Sequence, residues 1–322
     1  MKFFILGYSL KVTYIINIMN IHINPDVTKM PSLSAHEVLP LTEASSDGLV
    51  YVACTDSTQN IAREMILNGD IRVKKSGELP IYAIVADDQT AGRGRLGREW
   101  VSRPGESFLV SFVTLLPKKI VMDADRNGWL PILSGFATRD ALLETFSKYK
   151  SEAIHGKDCT LKLKWPNDIF LHDCKEGGIL TELVSSVDED LIGVVFGIGL
   201  NLHVPQEVLP IKMATSLQMH MTSLPESYEL RDVIASNIVR GLRSRLADFV
   251  EKYPNNSSDL LNEVNEVCWT LGREVSVHPV DGDVVKGVAL RIGEDASLTI
   301  RKDSGEEVVV KSGDVNAVAY EK

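Results

Sequence analysis

Three arginines alternate with three glycines in the stretch Gly92-Arg93-Gly94-Arg95-Leu96-Gly97-Arg98. Glycine lets a backbone come close to a ligand and take positive φ. A guanidinium presents a fork of donors that matches phosphate or carboxylate. A loop of this composition is expected to order around an anion. In letters, Gly92 to Gly97 matches G-x-G-x-x-G, but a dinucleotide loop must open a helix. The residues that follow, Arg98-Glu99-Trp100-Val101-Ser102-Arg103-Pro104-Gly105, do not start one. A P-loop would need G-x-x-x-x-G-K-[ST], which is not met either.

Three further motifs carry chemistry. In Lys164-Trp165-Pro166-Asn167-Asp168 the proline ends a strand and holds Asn167 and Asp168 in a turn, where they can reach a ligand or a metal. Taken alone, Lys164 reads equally as a solvated lysine and Trp165 as a core residue. In Lys175-Glu176-Gly177-Gly178-Ile179-Leu180-Thr181-Glu182 a lysine precedes paired glycines at the entry to a buried strand. Gly197-Ile198-Gly199-Leu200-Asn201 ends a strand on an amide, a group able to read the donor–acceptor edge of adenine.

The elements that must position these groups read as alternating strands and helices from Leu49 onward. Val50 to Cys54 is a short strand, and Asp56-Ser57-Thr58 caps a helix whose Ile61, Met65 and Ile66 share a face. Ile81 to Ala86 and Phe108 to Leu115 read as buried strands on either side of the glycine–arginine loop. Ile132 to Phe146 is a core helix. Leu161 to Trp165, Gly178 to Val184 and Leu191 to Gly197 are strands of one sheet. Leu230, Val233, Ile234, Ile238, Leu242, Leu246 and Phe249 recur at helical spacing and predict a long helix packed on that sheet, broken at Tyr253-Pro254-Asn255-Asn256. After Leu271-Gly272 short β-rich runs with turns at Asp281-Gly282, Gly293-Glu294 and Ser304-Gly305 predict a small barrel. The expected division is an extension over 1–48, a catalytic unit over 49–270 and a terminal module over 271–322.

Composition limits the class of function. With 322 residues the chain can bury a sizeable core, and 44% hydrophobic with 24% charged residues is ordinary globular usage. The net charge of −10 argues against a general nucleic-acid binder, which needs a basic face. The four cysteines, Cys54, Cys159, Cys174 and Cys268, form no C-x-x-C pair, so a reducing compartment fits better than a disulfide framework or zinc site. The apolar run Phe3 to Met19 is interrupted by Lys11 and Asn17 and falls short of the roughly 20 residues that span a bilayer. No membrane association is expected. The cytosol is the default location, with a plastid or mitochondrion as the alternative if residues 1–48 act as a targeting segment. Met19 and Met30 are further candidate starts.

Taken in this order, the motifs resemble those of the biotin–protein ligase family, the holocarboxylase synthetases, from about Val50 to the C-terminus. The resemblance is to members that are ligases only, because the first 48 residues show no helix-turn-helix pattern. It implies an α+β (α/β) fold, in which a mixed-sheet catalytic domain of the biotin/lipoate ligase type precedes an SH3-like β-barrel. It also implies a two-step reaction with ATP and Mg²⁺: biotin is activated as biotinyl-5′-AMP, then transferred to a lysine of the biotin carboxyl carrier domain of a carboxylase. By the same resemblance Ser57, Thr58, Gln89, Arg93, Gly94, Arg95 and Lys175 bind biotin. Arg93, Arg95, Trp100, Lys164, Asn167, Asp168 and Asn201 serve ATP, Asp168 holds the metal, and Lys175 with Arg95 is catalytic. Many members reverse Gln59-Asn60, so Gln59 receives no role. The alternatives are a lipoate or octanoate ligase or transferase of the same superfamily, and a non-catalytic regulator on the same fold.

Overall fold

The structure is a computed structural model and describes residues 39–74, 76–154, 160–252, 257–279 and 282–317. The first helix among the described residues, α1 (Pro40–Ser45), has proline in its first turn, where the missing N–H costs nothing. Strand β1 (Gly48–Thr55) leads through the Ser57 cap into α2 (Thr58–Leu67), and β2 (Tyr82–Gln89) returns parallel to β1. The run β3 (Ser107–Pro117) is buried from Ser107 through Leu116, as expected of a strand covered on both faces. After the short α3 (Lys118–Val121) comes α4 (Trp129–Tyr149), which is apolar nearly all round because it lies between the sheet and a second helix. Strands β4 (Leu161–Lys164), β5 (Asp168–Leu171), β6 (Cys174–Ser185) and β7 (Leu191–Asn201) complete a seven-stranded mixed sheet in the order β1-β2-β3-β7-β6-β5-β4. The helix pair α4 and α5 (Ser227–Lys252) covers one face with Phe136, Leu142, Ile234 and Ile238. Helix α2 covers the other face with Ala62, Met65 and Ile66 against Ile84, Val113 and Val195.

Helix α6 (Ser257–Val267) leads to five antiparallel strands: β8 (Glu274–Pro279), β9 (Val285–Ile292), β10 (Leu298–Arg301), β11 (Glu307–Val310) and β12 (Gly313–Ala317). Their order is β11-β10-β9-β8-β12. Val275, Ala289, Leu298 and Ile300 belong to the same hydrophobic cluster as Phe136 and Phe196, so the small sheet is continuous with the main core. Two indoles stitch the joint and a third anchors the segment that leads to it. Trp129 donates to the Glu294 carbonyl at 2.7 Å, Trp165 to the Ala296 carbonyl at 2.8 Å, and Trp269 to Asp173 at 2.6 Å.

Three expectations need correction or placement. Residues 39–48, which fall in the expected extension, include α1 and the first residue of β1. Leu39 is buried, and α1 is tied to α5 by Asp232, which accepts the N–H of Leu41 at 3.0 Å and of Thr42 at 2.8 Å. Strand β5 was not expected: Asn167 lies in the turn after Pro166, but Asp168 already opens a four-residue strand. The expected helix break at Tyr253 to Asn256 lies outside the described residues, as do Phe3 to Met19 and Cys159. Among the described residues no helix is long and apolar enough to cross a membrane.

Candidate active site

The parallel pairing of β1 with β2 sets Thr55 opposite Gln89, which brings the helix cap and the strand end together. Ser57 caps α2, its side chain accepting the Gln59 N–H at 3.3 Å. The Thr58 N–H donates to Gln89 Oε1 at 2.8 Å. Across the sheet, β6 and β7 align Gly178 with Gly199 and Leu180 with Gly197. A methyl at Gly199 would come within 2.5 Å of the Trp100 ring, and one at Gly197 within 2.8 Å of Gln59. The glycines therefore make room for Trp100 and Gln59 to lie against the sheet. The result is a cleft with about 820 Å³ of open space, its mouth included, lined by Ser57, Thr58 and Gln89 toward α2 and by Arg95, Asn167 and Lys175 toward β5.

The β4–β5 hairpin delivers the charged end. Lys175 Nζ lies 2.8 Å from Asp168, and Lys164 Nζ 3.6 Å from the other oxygen of the same carboxylate. Asn167 is oriented by donating to the Ile179 carbonyl at 2.7 Å, and its own oxygen accepts from Arg95 at 2.9 Å. Burial pulls the Arg95 guanidinium down from its ordinary pKa, opposed by the carboxylates of Asp168 and Asp314. Around this point four cations, Arg95, Arg98, Lys164 and Lys175, face two carboxylates, Asp168 and Asp314. Four minus two leaves two positive charges, enough to attract an anion in an otherwise acidic protein.

The glycine loop differs from an expected anion-ordered loop, because the protein's own groups hold it. Backbone bonds close it from Gly94 N to Arg98 O at 2.8 Å and from Trp100 N to Gly92 O at 2.9 Å. At its tip Leu96 and Gly97 take φ of 56° and 74°, a turn that glycine adopts without strain. Arg93 pairs with Glu182 at 2.9 Å, Arg98 pairs with Asp314 of β12, and Arg95 reaches the Gly313 carbonyl at 3.4 Å. Burial pushes the Asp314 carboxyl up, but Arg98 together with Lys164 and Lys175 holds it below the usual carboxylate range.

Of the residues singled out in the sequence, Ser57, Thr58, Gln89, Arg93, Gly94, Arg95, Trp100, Asn167 and Lys175 line one cleft. Asp168 sits just behind Lys175, with Lys164 beyond it. Asn201 is not brought to the cleft. It is 6% exposed, and its amide donates to the Thr215 carbonyl at 2.8 Å. Gln59 and Glu182 were named in the sequence without a role in the site, and Ser111 and Asp314 were not singled out. Only Gln59 had a local signal, its place in the capping motif. As for a metal, no three or more His, Cys, Asp or Glu side chains gather among the described residues. Asp168 is a single carboxylate already met by two ammonium groups, a donor set that suits one ligand to a Mg²⁺ otherwise held by phosphate and water, not a protein-built cage.

Residues 51–201 match the model of the Biotin/lipoate A/B protein ligase family. The chain is 29% identical over 258 residues to a biotin–[acetyl-CoA-carboxylase] ligase of Mycobacterium tuberculosis, covering 79% of this chain and 86% of that one. It is 33% identical over 180 residues to the bifunctional ligase/repressor BirA of Bacillus spizizenii, where it covers 55% of this chain and only 48% of the relative. The biotin protein ligase from Aquifex aeolicus in complex with biotin and ATP aligns with a TM-score of 0.61 at 25% identity, over 84% of this chain and 98% of that one. Over residues 51–201, then, the chain is similar to the Biotin/lipoate A/B protein ligase family.

Proposed function

We propose that this protein is an ATP-dependent biotin–protein ligase. The observation that carries it is the polarity of the cleft. One end holds Lys175, Arg95 and Asn167; the other holds the neutral hydrogen-bonding groups of Ser57, Thr58 and Gln89. An acid with a polar, uncharged head and a carboxylate tail fits that gradient, as biotin does. The carboxylate oxygen attacks the α-phosphorus of ATP; an O–P bond forms, the bond to pyrophosphate breaks, and biotinyl-5′-AMP results. Lys175 and Arg95 offset the repulsion between the two anions where this charge builds. An acceptor lysine, its ammonium having lost a proton to solvent, then attacks the acyl carbon, forms the amide with loss of a second proton, and releases AMP. Trp100 offers a flat surface for adenine, Asn167 orients Arg95, and Lys164 steadies Asp168.

Magnesium enters as the counter-ion of the nucleotide's phosphates, with Asp168 the carboxylate beside them; bound there it would neutralise charge, and no step above runs through it. The natural acceptors are biotin carboxyl carrier domains of carboxylases. The five-stranded sheet from about residue 271 is taken as an SH3-like barrel that covers the cleft through Gly313 and Asp314. The cytosol is the proposed compartment, in keeping with the free thiols of Cys54, Cys174 and Cys268. The test is incubation with ATP, Mg²⁺ and either biotin or lipoate. Pyrophosphate release with biotin alone is expected, and release only with lipoate would reverse the assignment.

A further inference from the structure

Gln59 is the capping-motif residue to which the resemblance gives no role, yet it is only 3% exposed and lines the cleft. Its Nε2 donates to the Leu180 carbonyl at 3.0 Å, which fixes the amide, since the flipped orientation would set two oxygens face to face. Gln59 Oε1 is thereby turned to Ser111 Oγ, 3.2 Å away, and can only accept. Ser111 is fully buried and has one proton, which goes to Gln59. Thr58 Oγ1 has two acceptors in reach, Ser111 Oγ at 2.8 Å and Gln89 Oε1 at 3.1 Å, and its proton goes to the nearer. Gln89 Oε1 already accepts the Thr58 N–H. Two hydroxyl protons thus serve three oxygen–oxygen contacts. The contact left without one is Thr58–Gln89, the sole contact of the three with both members lining the cleft.

We infer that Gln59 is a positioning residue for substrate choice: it fixes the proton order from Thr58 through Ser111 to Gln59, which leaves Thr58 Oγ1 and Gln89 Oε1 as paired acceptors facing the ligand. Such a pair selects a carboxylic acid whose far end carries an N–H donor over a plain alkanoic acid, whose methyl terminus would leave both oxygens unanswered. That selection rests on the biotin reading above, the ureido N–H of biotin being a donor of this kind. The missing side chain of Gly197 is what admits the glutamine.

The experiment measures KM and kcat for biotin in pyrophosphate release, and the Ki of octanoate as a competitor. It compares wild type, Gln59→Leu, Ser111→Ala and the double variant. Gln59→Leu is expected to raise KM for biotin about 5- to 10-fold, the scale of one lost hydrogen bond, with kcat within about twofold. The octanoate Ki should stay level or fall. The double variant should lie close to Gln59→Leu, because both changes break one chain. An unchanged KM for biotin, a parallel rise in the octanoate Ki, or fully multiplied effects in the double variant would overturn the inference. Ratios taken within one sample do not depend on the fraction folded, and Ser111→Ala tests the chain separately should Gln59→Leu fold poorly. If the wild type does not use biotin, it is the ligase reading that fails, whatever the variants do.

Discussion

Lys175 stands 2.8 Å from Asp168 at the charged end of the cleft, and its removal leaves that carboxylate with the more distant Lys164 at 3.6 Å. Lys175→Ala should slow adenylate formation by about 2 to 4 kcal/mol of lost transition-state stabilisation while biotin affinity changes far less. Stopped-flow pyrophosphate release set against equilibrium biotin binding checks this; a wild-type rate would refute the role. The adjacent Glu176 behaves quite differently. Full burial, opposed only by the Asn201 N–H, pushes its carboxyl well above the ordinary value of 4.5. The folded protein then keeps a proton that the unfolded chain sheds above about pH 4.5, so the wild type loses stability as pH rises until the folded group ionises as well. Glu176→Gln cannot ionise, and its stability relative to wild type should grow by up to about 1.4 kcal/mol per pH unit over that window. Denaturation midpoints across pH 4 to 8 read the slope, and a pH-independent difference would mean that Glu176 is charged in the fold. Lys175 was legible because a lysine before paired glycines is a local pattern. Ser111 was not, since a serine in an apolar strand becomes part of a site only when Gln59 and Thr58 arrive from another element.

Long apolar runs made β3, β6, β7, α4 and α5 readable, because burial on both faces or along one face writes itself into periodicity. Strand β5 was missed: four residues after a proline are too few for a periodic signal. The glycine loop was found by composition, but its partners could not be. Glu182 and Asp314 lie far along the chain and meet Arg93 and Arg98 only in the folded sheet order. Arg95 is held by Asn167 and the Gly313 carbonyl at the base of this loop. Under the proposed function, Arg95→Gly would remove a donor to the phosphate of the intermediate and loosen the loop. Escape of biotinyl-AMP should become roughly 10- to 150-fold faster, from about 1.5 to 3 kcal/mol of lost retention. The free anhydride would then label bystander lysines. A biotin blot of added albumin at matched adenylate-forming activity is the check, and labelling equal to wild type would show that Arg95 does not retain the intermediate.

At the scale of the whole molecule the change to short β-rich runs after Leu271 was legible, since β8 to β12 follow there, but the core these strands share with the larger sheet was not. Truncation after Leu271 removes the acceptors of the Trp129 and Trp165 indoles and the part of the shared hydrophobic cluster built from Val275, Ala289, Leu298 and Ile300. It should lower the unfolding midpoint sharply in calorimetry as well as abolish transfer, each orphaned indole N–H costing about 1 to 3 kcal/mol. Asp314→Ala separates cover from support. It frees Arg98 and leaves the indoles paired, so the midpoint should hold while bystander labelling rises; a midpoint that falls as far as in the truncation would make Asp314 structural. The most direct test of the central claim, that the cleft joins a biotin carboxylate to the α-phosphorus and then passes the acyl group to lysine, is an isotope trace. Biotin labelled with ¹⁸O in its carboxylate is turned over with ATP and a carrier domain, and the AMP is weighed by mass spectrometry. One ¹⁸O per AMP is expected, because the attacking oxygen stays on phosphorus when the lysine cleaves the acyl bond. Biotinylated carrier accompanied by unlabelled AMP, or by ADP, would contradict the account.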